Sequence, residues 1–184
     1  IQREGVCMKI IYIKIKNYKS IRELEINDIE NALILVGKNN TGKTSVIDAL
    51  LLASDLKPAP AHEFLDIAKP IDISIQIEFT EEDLNYYYSR GILCKSNSFE
   101  KWFEEFKERI PSYKDGIVSF TFHNNPNGTT RYNDGFNKHN PDIEKIIPKI
   151  YHIDQTRNLE ALQNDVFSFY DKESFQKLKE KDIK

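Results

Sequence analysis

Apolar and polar residues alternate near the start of the chain, and this period of two predicts half-buried β-strands. Residues 11–16 (IYIKIK) place an isoleucine at every second position, and residues 23–26 (ELEI) repeat the pattern. The polar residues 17–20 between the two runs are typical of a turn. Two such runs joined by a short polar stretch predict an antiparallel pair of strands.

The pattern then changes to continuous apolar stretches. Residues 32–36 (ALILV) contain no polar side chain, which predicts a strand buried on both faces of a sheet. Residues 45–55 (SVIDALLLASD) combine strong helix formers with apolar residues on nearly all sides and therefore predict a buried helix. The prolines in residues 57–60 (KPAP) end that helix.

Alternation and helical periodicity return in the second half of the chain. Residues 71–79 (IDISIQIEF) alternate strictly and predict a strand, and residues 80–83 have capping-box spacing that opens a short helix. Large apolar residues recur at helical spacing over residues 99–110, which predicts an amphipathic helix. Further strands are expected around residues 118–122 and 150–153.

Composition places the chain among globular proteins. It has 184 residues, of which 40% are hydrophobic and 30% charged, enough for one domain with a sizeable core. No apolar run approaches the length of a membrane span, and residues 1–7 lack the features of a signal peptide. With Cys7 and Cys94 far apart, we expect free thiols and a cytoplasmic protein without a membrane partner. The net charge of −3 neither indicates nor excludes a nucleic-acid partner.

Residues 37–44 (GKNNTGKT) have the G-x-x-x-x-G-K-T pattern of a phosphate-binding P-loop. Glycines allow backbone N–H groups to converge on phosphate oxygens, and the N-terminus of the following helix attracts the same charge. Lys43 would contact the β- and γ-phosphates of ATP, and the Thr44 hydroxyl would bind Mg²⁺. A chance match is disfavoured because the chain has only 7 glycines and the motif lies between a predicted strand and a predicted helix. The expected phosphate-binding residues are Gly37, Lys38, Asn39, Asn40, Thr41, Gly42, Lys43, Thr44 and Ser45.

Together, the segments MKIIYIKIKNYKSIRELEI and ALILVGKNNTGKTSVIDAL resemble the amino-terminal lobe of ABC-type ATPases of the SMC/RecF group, and within it the OLD (overcoming lysogenization defect) family. The resemblance covers residues 8–56 and continues more weakly through IEFTEEDL and IYHIDQTRN. It implies an α/β P-loop ATPase fold, an incomplete ABC-type head with an antiparallel β-subdomain. It also implies a Q-loop glutamine that senses Mg²⁺ and the γ-phosphate, for which Gln155 is the positional match. The alternative for Gln155 is a solvated loop residue.

The sequence also departs from that group. A signature motif, a Walker B strand with paired acids, a histidine switch and the DxD pattern of a Toprim nuclease are missing from these 184 residues. The resemblance therefore implies a longer ATPase, with ATP-driven dimers or higher oligomers of heads, DNA as a partner in repair or phage defence, and an associated endonuclease. We expect residues 1–7 to be an upstream extension or tag remnant, 8–160 the lobe, and 161–184 the start of a helical arm or linker. This chain alone should be inactive.

Two other functions use the same motif. A small-molecule kinase would transfer phosphate to an acceptor, and a non-catalytic module would bind ATP to recruit partners. Other polar groups have plain structural interpretations: the carboxylates of residues 72–83 fit strand alternation and helix capping, and the aromatic residues of the helix over residues 99–110 fit a core. His123 and His139 are expected in polar loops without partners.

Overall fold

A computed structural model of the protein describes residues 8–38, 42–148 and 150. The expected strand at 150–153, except for Ile150, and the expected helical arm lie outside the described residues. A short 3₁₀ helix covers Ala61–Glu63. The other elements are, in chain order, β1 (Lys9–Tyr18), β2 (Ile21–Ile26), α1 (Lys43–Asp55), β3 (Ile71–Glu78), α2 (Glu81–Ser89), α3 (Phe99–Arg109), β4 (Tyr113–Lys114), β5 (Ile117–Asn124), β6 (Thr130–Asn133) and α4 (Ile143–Ile146).

The six strands form one antiparallel sheet. Its order is β2-β1-β3-β5, and both β4 and β6 pair with β5. The predicted pairing of the first two strands is confirmed, with Ile15 opposite Leu24 on β2 and opposite Ile73 on β3. The register of β1 on β3 shifts between Ile10 and Tyr12, which marks a bulge.

Strand alternation builds the core on one face of the sheet. The inward residues of β1, β3, β5 and β6 are apolar, and they form one cluster with the buried residues of the helices. Helix α1 contributes Val46, Ala49 and Ala53, so small side chains let it pack closely. The other face of the sheet carries polar side chains. The inward strand residues are Ile13, Ile15, Ile71, Ile73, Ile75, Ile77, Val118, Phe120, Phe122 and Tyr132.

Helices α2 and α3 confirm the sequence predictions. In the capping box of α2, Thr80 accepts a hydrogen bond from the backbone of Asp83, and the Asp83 side chain accepts one from the backbone of Thr80. In α3, Trp102 and Phe106 are completely buried, and the Trp102 indole N–H donates to the Ile92 carbonyl at 3.0 Å. These aromatic residues belong to the core, as expected.

The predicted strand at residues 32–36 is wrong. This segment is not part of the sheet, and no backbone hydrogen bond joins it to another described residue. Ile34 is 81% exposed and Val36 is 90% exposed. A continuous apolar run predicts burial only if strands lie on both sides of it. No strand in the described part of the chain pairs with this one.

The expectation that His123 lies in a loop without a partner is also wrong. His123 is the seventh residue of β5, directly opposite Asp72 on β3. The Nδ1 atom of His123 lies 2.6 Å from Oδ1 of Asp72, and Nε2 lies 3.1 Å from Oδ1 of Asn125. The pair is on the polar face of the sheet.

Candidate nucleotide-binding site

The P-loop motif leads into the N-terminus of α1. Gly42 is the residue before the helix and has a φ of 91°, a left-handed conformation that glycine adopts without strain. The first three N–H groups of α1 have no acceptor within the helix, and no acidic side chain lies in its first turn. This helix end is therefore suited to an anionic ligand.

Lys43 turns back over the loop. Its ammonium group donates to the carbonyl oxygens of Gly37, at 2.7 Å, and of Lys38, at 2.6 Å. The side chain thus lies along the loop instead of extending into solvent, while Thr44 is exposed on the first turn of α1. The lysine expected to meet the phosphates is held at the mouth of the loop.

The turn after β1 lies beside this helix end. A Cβ atom at Gly42 would lie 3.5 Å from Oγ of Ser20. The turn and the loop are therefore close enough to contact each other. One residue earlier, the Lys19 ammonium forms ion pairs with Asp48 on α1, at 2.5 Å, and with Glu63, at 3.5 Å. Burial alone would lower the pKa of Lys19, but its hydrogen-bonded ion pair with Asp48, with smaller contributions from Tyr18 and Glu63, outweighs burial and raises the pKa. The turn therefore holds α1 by a charged contact.

Residues 63–70 also contact the turn and stabilise it. Tyr18 forms an isolated bridge with Phe64 and donates from its hydroxyl to Glu63 at 3.3 Å. Burial, reinforced by the charge of Glu63, raises the pKa of the Tyr18 hydroxyl to about 12. The buried Asn17 side chain donates to the carbonyls of Asp66, Lys69 and Pro70 and accepts from the Asp66 N–H.

The other end of α1 is anchored to the sheet. The Tyr132 hydroxyl donates to the Ala53 carbonyl at 2.5 Å, and the Thr130 hydroxyl donates to the Leu56 carbonyl at 3.0 Å. These bonds use carbonyls that the end of a helix leaves without partners. The helix then ends as Leu56 adopts a left-handed conformation. Both ends of α1 are thereby fixed to the antiparallel sheet.

The structure brings together part of the predicted site. Gly37, Lys38 and the four residues from Gly42 to Ser45 are described and lie at the helix end. Residues 39–41, which include Asn39, Asn40 and Thr41, and Gln155 lie outside the described residues. Sequence reasoning missed Lys19 and Ser20, which it placed in a turn without relating them to the loop. Nothing in their pattern signals that contact, because it depends on how the turn packs on α1.

Comparison with known proteins assigns this architecture to a class. Residues 8–184 match the family model of the AAA ATPase domain, so the chain belongs to that family. Within the described residues, a P-loop joined to a helix and an antiparallel sheet fits this class, and the predicted α/β P-loop ATPase fold is confirmed. No helix in the described part of the chain is long and apolar enough to cross a membrane.

The chain is also similar to two individual proteins over part of its length. Over 127 residues the chain is 27% identical to the DNA double-strand break repair Rad50 ATPase of Pyrococcus abyssi (strain GE5 / Orsay), covering 61% of this chain. Over 46 residues, 25% of this chain, it is 46% identical to the uncharacterized protein MJECL10 of Methanocaldococcus jannaschii. The chain spans only 14% of the first relative and 20% of the second.

A solved structure also resembles the chain. It comes from work on the structural biochemistry of ATP-driven dimerization and DNA-stimulated activation of SMC ATPases. The similarity covers 67% of each chain, with a TM-score of 0.42 and 17% sequence identity.

Proposed function

We propose that the chain is the ATP-binding amino-terminal lobe of a longer SMC/RecF/OLD-like ATPase that acts on DNA. The observation that carries this proposal is the P-loop at the N-terminus of α1, with Lys43 held at its mouth. The antiparallel strands before the loop, and the contact of their turn with α1, support this group over a kinase that begins with its P-loop strand.

The polar groups at the start of α1 are suited to bind phosphate. The N–H groups at the start of α1 would hold the phosphate oxygens, and Lys43 would exchange two carbonyl acceptors for negatively charged ones. Thr44 is exposed on the first turn of α1, and its hydroxyl would bind Mg²⁺. Bound Mg-ATP supplies the γ-phosphoryl group whose transfer to water drives such ATPases. Gln155 is proposed as the Q-loop residue that senses the Mg²⁺ and this group.

Exposed apolar side chains support completion of the site by another lobe. Ile34 and Val36 are almost fully exposed, and Ile47 on α1 is 37% exposed. Burying these side chains against further strands would be favourable by about 25 cal/mol per Å². We propose that the completing lobe carries the Walker B acids and signature motif, and that two heads engage around ATP.

The biological process in which the full protein acts is proposed from the name of one relative. The matching Rad50 ATPase is named for DNA double-strand break repair, which supports DNA as the partner of the full protein. Placement in the OLD family, an associated endonuclease, a role in repair or phage defence and a cytoplasmic location form the more specific part of the proposal.

Calorimetric titration with Mg-ATP tests the P-loop. We expect Lys43→Ala to weaken binding at least about 10- to 100-fold, since a charge-assisted hydrogen bond contributes about 1.5–3 kcal/mol. Lys57→Ala is the matched control, because Lys57 is exposed just after α1 and pairs with Asp55. Equal ATP affinity of Lys43→Ala and the unchanged chain would refute the proposal.

A further inference from the structure

The polar face of the sheet, called here the open face, carries its side chains in rows across four strands. One row runs from Lys14 through Ser74 and Thr121 to Asn133, and the next contains Lys16, Asp72, His123 and Arg131. These rows follow from the register, since residues opposite one another in an antiparallel sheet share a face. None of these residues is used by the P-loop.

A groove of about 340 Å³ crosses the open face. Its lining consists mainly of side chains that form hydrogen bonds without carrying a charge, among them Gln76, Ser119 and Thr121. Tyr12 also lines it, as does the turn after β6 at Asn133, Asp134 and Gly135. Such a surface can bind phosphate and sugar oxygens through hydroxyl and amide groups.

Several charged side chains on the open face already have partners. Lys14 pairs with Glu23 and Glu25 on β2, and Asp72 contacts His123. Arg131 is different: within residues 8–38, 42–148 and 150 its guanidinium group has no carboxylate partner, and its Nε atom is buried without a hydrogen-bond acceptor. Arg131 as a whole is only partly buried, so its guanidinium group, which no carboxylate neutralises in the described part of the chain, can attract an anionic group.

An aromatic side chain stands next to the groove on a rigid turn. The buried Asp134 carboxylate accepts hydrogen bonds from the N–H groups of Phe136 and Asn137 and from the Asn140 amide. These bonds fix the backbone while leaving the Phe136 ring 74% exposed. Lys138, also exposed, follows two residues later. A preorganised exposed ring loses little entropy when it binds a partner.

We propose that the open face binds single-stranded nucleic acid, with a base stacked on Phe136 and a phosphate on Arg131. Stacking on an aromatic ring requires an unpaired base, and the positive charge of Arg131 and Lys138 complements the phosphate backbone. The choice of a nucleic acid as the ligand rests on the proposed action of the protein on DNA. It does not depend on ATP, because the residues that carry it are distinct from the P-loop.

Fluorescence anisotropy of a labelled thymidylate oligonucleotide measures this binding. We expect Phe136→Ala to weaken it about 10-fold without changing its salt dependence, because stacking is not ionic. Arg131→Gln should also weaken it and should lower the slope of log K against log salt by about 0.7, the effect of one lost phosphate contact. Ile67→Ala is the matched control, as Ile67 is an exposed apolar residue (55%) elsewhere on the surface. In Phe136→Trp, the oligonucleotide should quench the added indole.

The outcomes separate this inference from the proposed ATP site. We expect Lys43→Ala to bind the oligonucleotide normally, and Phe136→Ala and Arg131→Gln to bind Mg-ATP normally. The inference is overturned if the unchanged chain does not bind the oligonucleotide, if a duplex of the same length binds equally well, or if Phe136→Ala binds like Ile67→Ala. An indole at position 136 that responds to protein concentration instead of DNA would assign the ring to self-association and also overturn it.

Discussion

Replacing Asn17 by glycine and by alanine separates two ways in which this residue holds the turn beside the P-loop. Its side chain makes four hydrogen bonds to residues 66–70, and its backbone has a φ of 60°. Glycine removes the hydrogen bonds and accepts the backbone conformation. Alanine removes the same bonds and must also adopt a left-handed conformation that is unfavourable for a residue with a Cβ atom.

The magnitudes follow from the contacts. Asn17 is only 7% exposed, and the carbonyls it serves lie in a surface loop where water replaces some of the lost bonds. Counting two to three net bonds at about 1 kcal/mol each, we expect Asn17→Gly to lower the free energy of unfolding by about 2–3 kcal/mol. Asn17→Ala should cost about 1 kcal/mol more, although glycine has the greater entropy in the unfolded chain.

Urea denaturation followed by fluorescence provides the assay. The single tryptophan, Trp102, is completely buried in α3 and reports on the core. Losses below about 1 kcal/mol in both variants would contradict the hydrogen-bond argument. An alanine variant as stable as the glycine variant would contradict the argument from backbone conformation.

Other predictions concern the site and its supports. Tyr132→Phe should cost about 1–3 kcal/mol in urea denaturation, because it leaves the Ala53 carbonyl buried without a donor. Hydrogen bonds from Asn137 and Asn140 outweigh burial and lower the pKa of Asp134, so its carboxylate stabilises the fold above the usual aspartate pKa of 3.8, and this contribution is lost as pH falls through the lowered value. The difference in stability between the unchanged chain and Asp134→Asn should therefore shrink on acidification below about pH 4. A phosphate-release assay on this chain alone should show no steady turnover, whereas turnover abolished by Lys43→Ala would favour the kinase. In the full protein, Gln155→Ala should reduce Mg²⁺-dependent turnover more than ATP binding, and unchanged turnover would make Gln155 an ordinary loop residue.

Most of the fold could be predicted because its signals are local. Strict alternation identified β3, and the capping box of Thr80 and Asp83 located the start of α2. Strand β6 escaped prediction because its four residues, TRYN, are too few to show a period. Residues 32–36 show the opposite limit: their apolar character is clear in the sequence, but burial would need neighbouring strands, and the described residues supply none.

The register between strands also could not be predicted from the sequence. The alternation of Val118, Phe120 and Phe122 extends to place His123 on the opposite face of β5, but nothing local shows that it meets Asp72 from 51 residues earlier. The same limit applies to the P-loop. Its motif is local and can be recognised in the sequence. The contacts of Lys19 and Ser20, in contrast, arise only when a distant turn packs on α1.

The unpaired segment at residues 32–36 has a consequence for how the protein is made. An uncharged apolar run whose backbone forms no hydrogen bond with another described residue can serve as a template for pairing between chains and hence for aggregation. Newly synthesised lobes would expose it until another strand covers it, so solubility in the cell should depend on how soon that happens. Substituting lysine for Ile34, whose side chain points into solvent, should raise the soluble yield of this chain when it is expressed alone.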